Sequence, residues 1–131
     1  MIRLLVAEDH AGMRDKVVSI LEIEFSVVCS VNNGQEMLDA ESRINPDIVI
    51  LDVSMPTMNG IEAAIRLKQR NSKARIIFLT VHEGPEFLQA ALATGALGYV
   101  SKSRLASDLR LAVREAMAGR RFVSSSLIGA L

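Results

Sequence analysis

Five short aliphatic runs, none alternating with polar residues, constrain the fold of this chain more than any other feature. They are Ile2 to Ala7, Phe25 to Val31, Ile48 to Leu51, Ile76 to Leu79, and a weaker one at Leu97 to Val100. A strand with one wet face carries a polar residue at every second position. A continuous apolar run suits a strand buried on both faces, as in a parallel sheet covered by helices. The stretches between the runs supply those helices. Met13, Val17, Ile20 and Leu21 fall on one helical face, and Leu109, Ala112, Val113, Ala116 and Met117 repeat the pattern. Asn33 with Glu36, and Asn59 with Glu62, read as helix starts of the capping-box kind. Pro85 suits the first position of a helix and Gly119 the end of the last one. Strand–helix alternation repeated five times predicts an α/β domain with a parallel sheet and right-handed crossovers. The 131 residues fit one domain and leave little room for a second. That domain is expected over 1–119. Residues 120–131 lose helical periodicity, contain Ser124, Ser125 and Ser126, and read as the start of a partly disordered linker.

Charge narrows the partners. Fifteen basic and fifteen acidic residues give a formal net charge of zero, which offers no general reason to bind a polyanion or an anionic membrane surface. Cys29 is the only cysteine, so an intrachain disulfide and a multi-cysteine zinc site are both excluded. Within Val27-Val28-Cys29 it reads as a small hydrophobe. The N-terminal apolar run is too short for a signal segment or a membrane span. A cytoplasmic protein is expected.

The ends of the runs carry the chemistry. The first stops at Glu8-Asp9, the third at Asp52, the fourth at Thr80 and the fifth at Ser101-Lys102. In an open parallel sheet the carboxyl ends of the strands share one edge, and ligands bind there. Three carboxylates, a hydroxyl and an amine would therefore converge. Carboxylates crowded in this way raise a pKa or recruit a cation, and a hard divalent ion with oxygen ligands suits them. A metal and an amine sharing the charge on phosphoryl oxygens, with a carboxylate attacking in line, is the make-up of a phosphoryl-transfer site. Asp52 is the candidate nucleophile.

Four segments carry a resemblance: Leu5 to His10, Ile50 to Gly60, Phe78 to Thr80, and Gly95 to Lys102. With them the chain resembles a response-regulator receiver domain of two-component systems from about Ile2 to Gly119. The segment around Gly95-Ala96-Leu97-Gly98-Tyr99 and the tail Gly119-Arg120-Arg121-Phe122-Val123 resemble the NarL/FixJ (LuxR-type) branch, in which a helix-turn-helix DNA-binding domain follows the receiver. The resemblance implies a flavodoxin-like, doubly wound (βα)5 sheet of strand order 2-1-3-4-5. It implies Asp52 as phosphoacceptor and Asp9, Asp52 and the Ser54 backbone carbonyl as ligands of magnesium or manganese. Glu8 would act mostly through metal-bound water, Lys102 would pair with the phosphoryl oxygens, and Thr80 and Tyr99 would form the switch. It further implies a sensor histidine kinase or phosphotransfer protein as donor, and a homodimer through the face of the fourth helix, fifth strand and fifth helix or through another receiver surface. DNA contact would come only through a C-terminal domain. Turnover would be self-directed, so the domain is not an enzyme in the ordinary sense. Two positions depart from the pattern: Ser103 stands where proline often follows the lysine, and Val81 is larger than the usual residue after the switch threonine. His82 reads either as an exposed loop histidine or as a residue that tunes dephosphorylation, and His10 and His82 do not read as a metal pair.

Other classes fit less well. A phosphorylation-independent interaction module would need a degenerate acidic site. A haloacid-dehalogenase-like phosphatase needs a second acid where Ser54 stands. A flavin carrier needs a phosphate loop where Glu8-Asp9 stand.

Overall fold

The computed structural model describes residues 1–82 and 84–129. Ala130 and Leu131, the end of the expected linker, lie outside the described residues. Strands and helices alternate as β1 (Arg3–Ala7), α1 (Ala11–Glu22), β2 (Ser26–Val31), α2 (Gly34–Ile44), β3 (Ile48–Asp52), α3 (Gly60–Gln69), β4 (Arg75–Thr80), α4 (Pro85–Ala93), β5 (Gly98–Ser101) and α5 (Leu105–Met117). A short strand, β6 (Phe122–Val123), and a helical turn, α6 (Ser125–Ile128), follow. All strand pairs are parallel, in the order β2-β1-β3-β4-β5-β6. The first five strands thus take the expected order 2-1-3-4-5.

Two apolar layers explain why the runs lack polar residues. Leu5, Ala7, Val49, Leu51 and Phe78 pack with α2, α3 and α4 through Met37, Leu38, Ala63, Leu67, Leu88 and Ala91. The alternate residues Leu4, Val6, Ile48, Ile50, Ile77 and Leu79 pack on the other face with Val17 and Leu21 of α1 and Leu109, Ala112 and Val113 of α5. Each central strand therefore buries both of its faces.

The helix starts follow the expected chemistry. Asn33 Oδ1 accepts the Glu36 N–H at 2.8 Å, and Asn59 Oδ1 accepts the Glu62 N–H at 2.9 Å. In both, the Asn amide also donates to the glutamate side chain, a return bond that Ser or Thr makes differently. Pro85 opens α4. Gly119, at φ 77°, ends α5 with its N–H on the Ala116 carbonyl while Arg120 N–H reaches Glu115 O, the double bond of a Schellman end.

The tail departs from the sequence reading. Phe122–Val123 pairs with β5 in parallel register, Gly98 with Phe122 and Tyr99 with Val123. Leu127 is buried among the α4-side residues. Two residues of strand are too few to register as a hydrophobic pattern, which is why this segment looks like linker in the sequence. Among the described residues no peptide bond is cis; Lys102, Ser103 and Arg104 form a 3-10 turn leading into α5. No described helix is long and apolar enough to cross a membrane.

Candidate functional site

β1 and β3 are neighbours in the sheet, and the chain leaves them toward opposite sides, so a crevice opens at their carboxyl ends. Glu8 and Asp9 follow β1 and Asp52 ends β3. One side-chain oxygen from each lies within 4.8 Å of the others. Glu8 and Asp52 are buried and Asp9 is exposed. Lys102, just past β5, completes the group: its Nζ lies 2.6 Å from Glu8 Oε1 and 3.1 Å from Asp52 Oδ2.

The electrostatics follow from crowding. Burial, and then the Glu8 carboxylate beside it, push the Asp52 carboxyl up to about 8, against the pull of Lys102. Burial pushes Glu8 up as well, but its bonds with Asp52 and Lys102 outweigh this and leave it below its ordinary value. Burial lowers Lys102, and the two acids more than reverse that. A single ammonium does not neutralise the cluster, and a hard divalent cation fits the three-carboxylate donor set. Ser54, two residues past Asp52, donates its backbone N–H to Asp52 Oδ1 at 3.1 Å and so fixes the carboxyl group's orientation.

The loop after β3 is shaped around Asp52. A Cβ on Gly60 would stand 2.1 Å from the Asp52 carbonyl oxygen, so only glycine lets α3 begin so close to the acid. Thr57 holds φ at 69°, a strained conformation for a β-branched residue of the kind that clusters near functional sites. A cavity of about 430 Å³ opens here, lined by Asp9, Ser54, Met55, Asn59, Ile61 and Phe87.

Thr80 ends β4 and is buried; its Oγ1 accepts the His82 N–H at 2.8 Å. Tyr99 is buried on the neighbouring strand, tilted 59° against Phe78 at 6.1 Å between ring centres. Burial raises the Tyr99 phenol, and the nearby Thr80 hydroxyl partly offsets this. Val81 is 66% exposed.

The structure brings Glu8, Asp9, Asp52 and Lys102 into one group and sets Thr80 and Tyr99 on the adjoining strands. Sequence reasoning missed other roles. His10 is the N-cap of α1, its Nδ1 accepting the Met13 N–H at 3.1 Å. His82 stacks on Phe87 at 4.1 Å and pairs its Nε2 with Ser54 Oγ at 2.8 Å, bridging the loops after β3 and β4. A histidine one residue before an amphipathic helix was a usable signal for the first. The second depends on two loops meeting and had none.

The family described as response regulator receiver domain matches residues 4–114. The uncharacterized transcriptional regulatory protein YvfU of Bacillus subtilis is 33% identical over 129 residues, 97% of this chain and 64% of that protein. The transcriptional regulatory protein DegU of Brevibacillus brevis is 32% identical, over 93% of this chain and 52% of its own length. The nitrate/nitrite response regulator NarL of Escherichia coli is 31% identical, over 95% and 58%. The chain thus spans between 52% and 64% of these curated relatives. A LuxR-family two-component response regulator from Aurantimonas sp. superposes with a TM-score of 0.93 at 32% identity, covering 98% of this chain and 93% of that one. The signal receiver domain of the putative NarL of Mycobacterium tuberculosis superposes at 0.86 with 28% identity, covering 91% and 98%. The chain belongs to the response-regulator receiver family, in the company of NarL- and LuxR-type regulators.

Proposed function

We propose that this domain is a phosphorylation switch in which Asp52 accepts a phosphoryl group in a magnesium-dependent reaction. The observation that carries the reading is the three carboxylate oxygens within 4.8 Å of one another, with Lys102 reaching two of those acids. Asp9, Asp52 and the Ser54 backbone carbonyl would hold the cation, and Glu8 would act on it through water. Bound there, magnesium or manganese neutralises the acids and the charge on the transferring phosphoryl oxygens. Asp52 supplies the attacking oxygen. An O–P bond forms to its carboxylate as the P–N bond to a donor phosphohistidine breaks, and the departing imidazole takes a proton from solvent. Lys102 turns its ammonium from the carboxylates to the phosphoryl oxygens. Thr80 gives up the His82 N–H and turns its hydroxyl toward the phosphoryl group, and Tyr99, alongside on β5, follows it.

The donor is a sensor histidine kinase or phosphotransfer protein, and the domain catalyses only its own phosphorylation and dephosphorylation in the cytoplasm. The output is transcriptional control, the activity for which YvfU and DegU are named, with DNA contact made by a C-terminal helix-turn-helix domain. A homodimer through α4, β5 and α5 would include β6 in its surface, since β6 pairs with β5.

Intact mass after incubation with acetyl phosphate tests this, with and without Mg²⁺, on the wild type and on Asp52→Asn. One metal-dependent phosphoryl adduct is expected on the wild type and none on the variant. A wild type that neither gains the adduct nor binds Mg²⁺ would leave a phosphorylation-independent interaction module as the reading.

A further inference from the structure

The segment after α5 is gripped at one point by a buried polar cluster that the phosphoryl chemistry does not use. Ser124 is fully buried, and Asp108 and Ser101 are nearly so. The Ser124 hydroxyl donates to Asp108 Oδ2 at 2.7 Å and accepts the Ser101 N–H at 3.0 Å. The Ser124 N–H reaches the Tyr99 carbonyl at 2.9 Å, and the Phe122 N–H reaches Leu97 O at 2.8 Å. Asp108 is itself held by Arg104 Nε at 3.1 Å and Ser107 Oγ at 2.9 Å. Ser124 therefore grips β5 on both sides of Val100, at the carbonyl of Tyr99 and at the N–H of the residue next to Lys102. Leu127 seals the junction in the same apolar layer as Tyr99, Leu88 and Ala91.

We propose that Phe122–Ile128 is the output relay of this domain: a strap latched to β5 by the Ser124–Asp108–Ser101 hydrogen bonds and loosened when Asp52 is phosphorylated. The proposal rests on the phosphoacceptor reading of Asp52. With Asp52 Oδ2 only 3.1 Å from Lys102 Nζ, no phosphoryl group fits between them, so the ammonium must turn aside to meet the group's oxygens as it arrives. Thr80, which the same group draws toward itself, lies opposite Ser101 in the β4–β5 register, and its movement draws the Ser101 N–H away from the Ser124 hydroxyl. Tyr99, whose carbonyl is the other anchor, stands opposite Phe78 on β4 and is the aromatic that follows Thr80 in the switch. Both local consequences of phosphorylation thus arrive at the two β5 groups that hold the strap, and the strap leads to whatever follows it in the chain.

Hydrogen exchange read by mass spectrometry tests the relay on the full chain in Mg²⁺, with and without acetyl phosphate, with intact mass taken on the same samples. The expected result is that phosphorylation speeds exchange of the Phe122, Ser124 and Leu127 amides about tenfold, the factor for one lost buried hydrogen bond. The β2 peptide at the far sheet edge should not change, and Asp52→Asn should show no response. Ser124→Ala should speed the same tail amides without phosphorylation and erase most of the phosphorylation-dependent difference. A stoichiometric adduct with unchanged or slower tail exchange overturns the relay and leaves the phosphoacceptor reading intact. Absence of the adduct overturns both. The wild-type comparison needs no variant, so a poorly folded Ser124→Ala does not rescue the proposal.

Discussion

Asp52 is the residue whose environment has the clearest consequence for the whole chain. Its folded pKa of about 8 lies far above the ordinary 3.8, so across that window the folded chain keeps a proton that the unfolded chain has released. The stability this group contributes is complete below the unfolded value and is lost as pH rises through the folded one. Glu8 lies below 4.5 and Lys102 above 10.5 when folded, so neither changes charge on folding between about pH 5 and pH 8. Metal-free protein should therefore lose stability with rising pH, at a slope approaching about 1.4 kcal/mol per pH unit from this one proton. Urea midpoints in chelator at several pH values measure it. Asp52→Asn should flatten this slope and raise the midpoint at the alkaline end; equal slopes in the two proteins would mean Asp52 ionises normally. The same residue was legible in the sequence because it terminates an apolar run, as Glu8, Thr80 and Ser101-Lys102 do. Asp108 was not. It stands between Leu105 and Leu109 on the buried face of α5 and looks like an ordinary first-turn acid. Its partner Ser124 is sixteen residues away, brought there by a strand pairing that no local pattern announces.

The start of α3 shows how one element sets the site. Asn59 caps the helix through Glu62, and Gly60 carries its first turn against the Asp52 carbonyl. Asn59→Ala removes the acceptor for the Glu62 N–H and should cost about 1 kcal/mol of stability, while leaving Mg²⁺ affinity nearly unchanged. Gly60→Ala is a different kind of change. Its Cβ would stand 2.1 Å from backbone oxygen, so the loop or the strand end must move, and Asp52 moves with it. The expected outcome is a larger loss of stability, accompanied by weaker Mg²⁺ binding, with denaturant midpoints and metal titration separating the two effects. A Gly60→Ala protein with normal metal affinity would show that the helix start, rather than Asp52, absorbs the clash. Elements of this sort were readable because their signals are local: aliphatic runs for β1 to β5, Asn with Glu three residues on for α2 and α3, Pro85 for α4, Gly119 for the end of α5. β6 has only the two residues Phe122 and Val123, both half-buried, and its identity comes entirely from the edge of β5 that it covers.

At the scale of the molecule, the five-unit body and the tail differ in what they contribute. Every candidate ligand and Lys102 come from the body, whose two apolar layers are complete around β1, β3 and β4. The tail adds Leu127, fully buried, together with half-buried Phe122 and Val123. A chain ending at Gly119 should therefore fold with the same sheet order and bind Mg²⁺ as before. It should nonetheless be less stable. Uncovering Leu127 alone costs about 1.5–3 kcal/mol, with more from Phe122 and Val123, and freedom regained by the missing segment offsets part of this, for a net loss of about 2 kcal/mol. Asp108 adds a pH signature. Burial pushes its carboxyl up, but the bonds from Ser124, Ser107 and Arg104 outweigh this and hold it below the usual carboxylate value. A group lowered in the folded state contributes stability above its unfolded pKa and loses it as pH falls through the folded one. The tail's contribution should thus be full at neutral pH and shrink under acid, where Asp108 takes a proton and Ser124 loses its charged acceptor. Comparing denaturant midpoints of the full and shortened chains at neutral and acid pH checks both points. A stability gap that persists unchanged into acid would assign the tail's grip to Leu127 and its apolar neighbours alone, whereas a gap that closes assigns it to the carboxylate that joins the tail to β5.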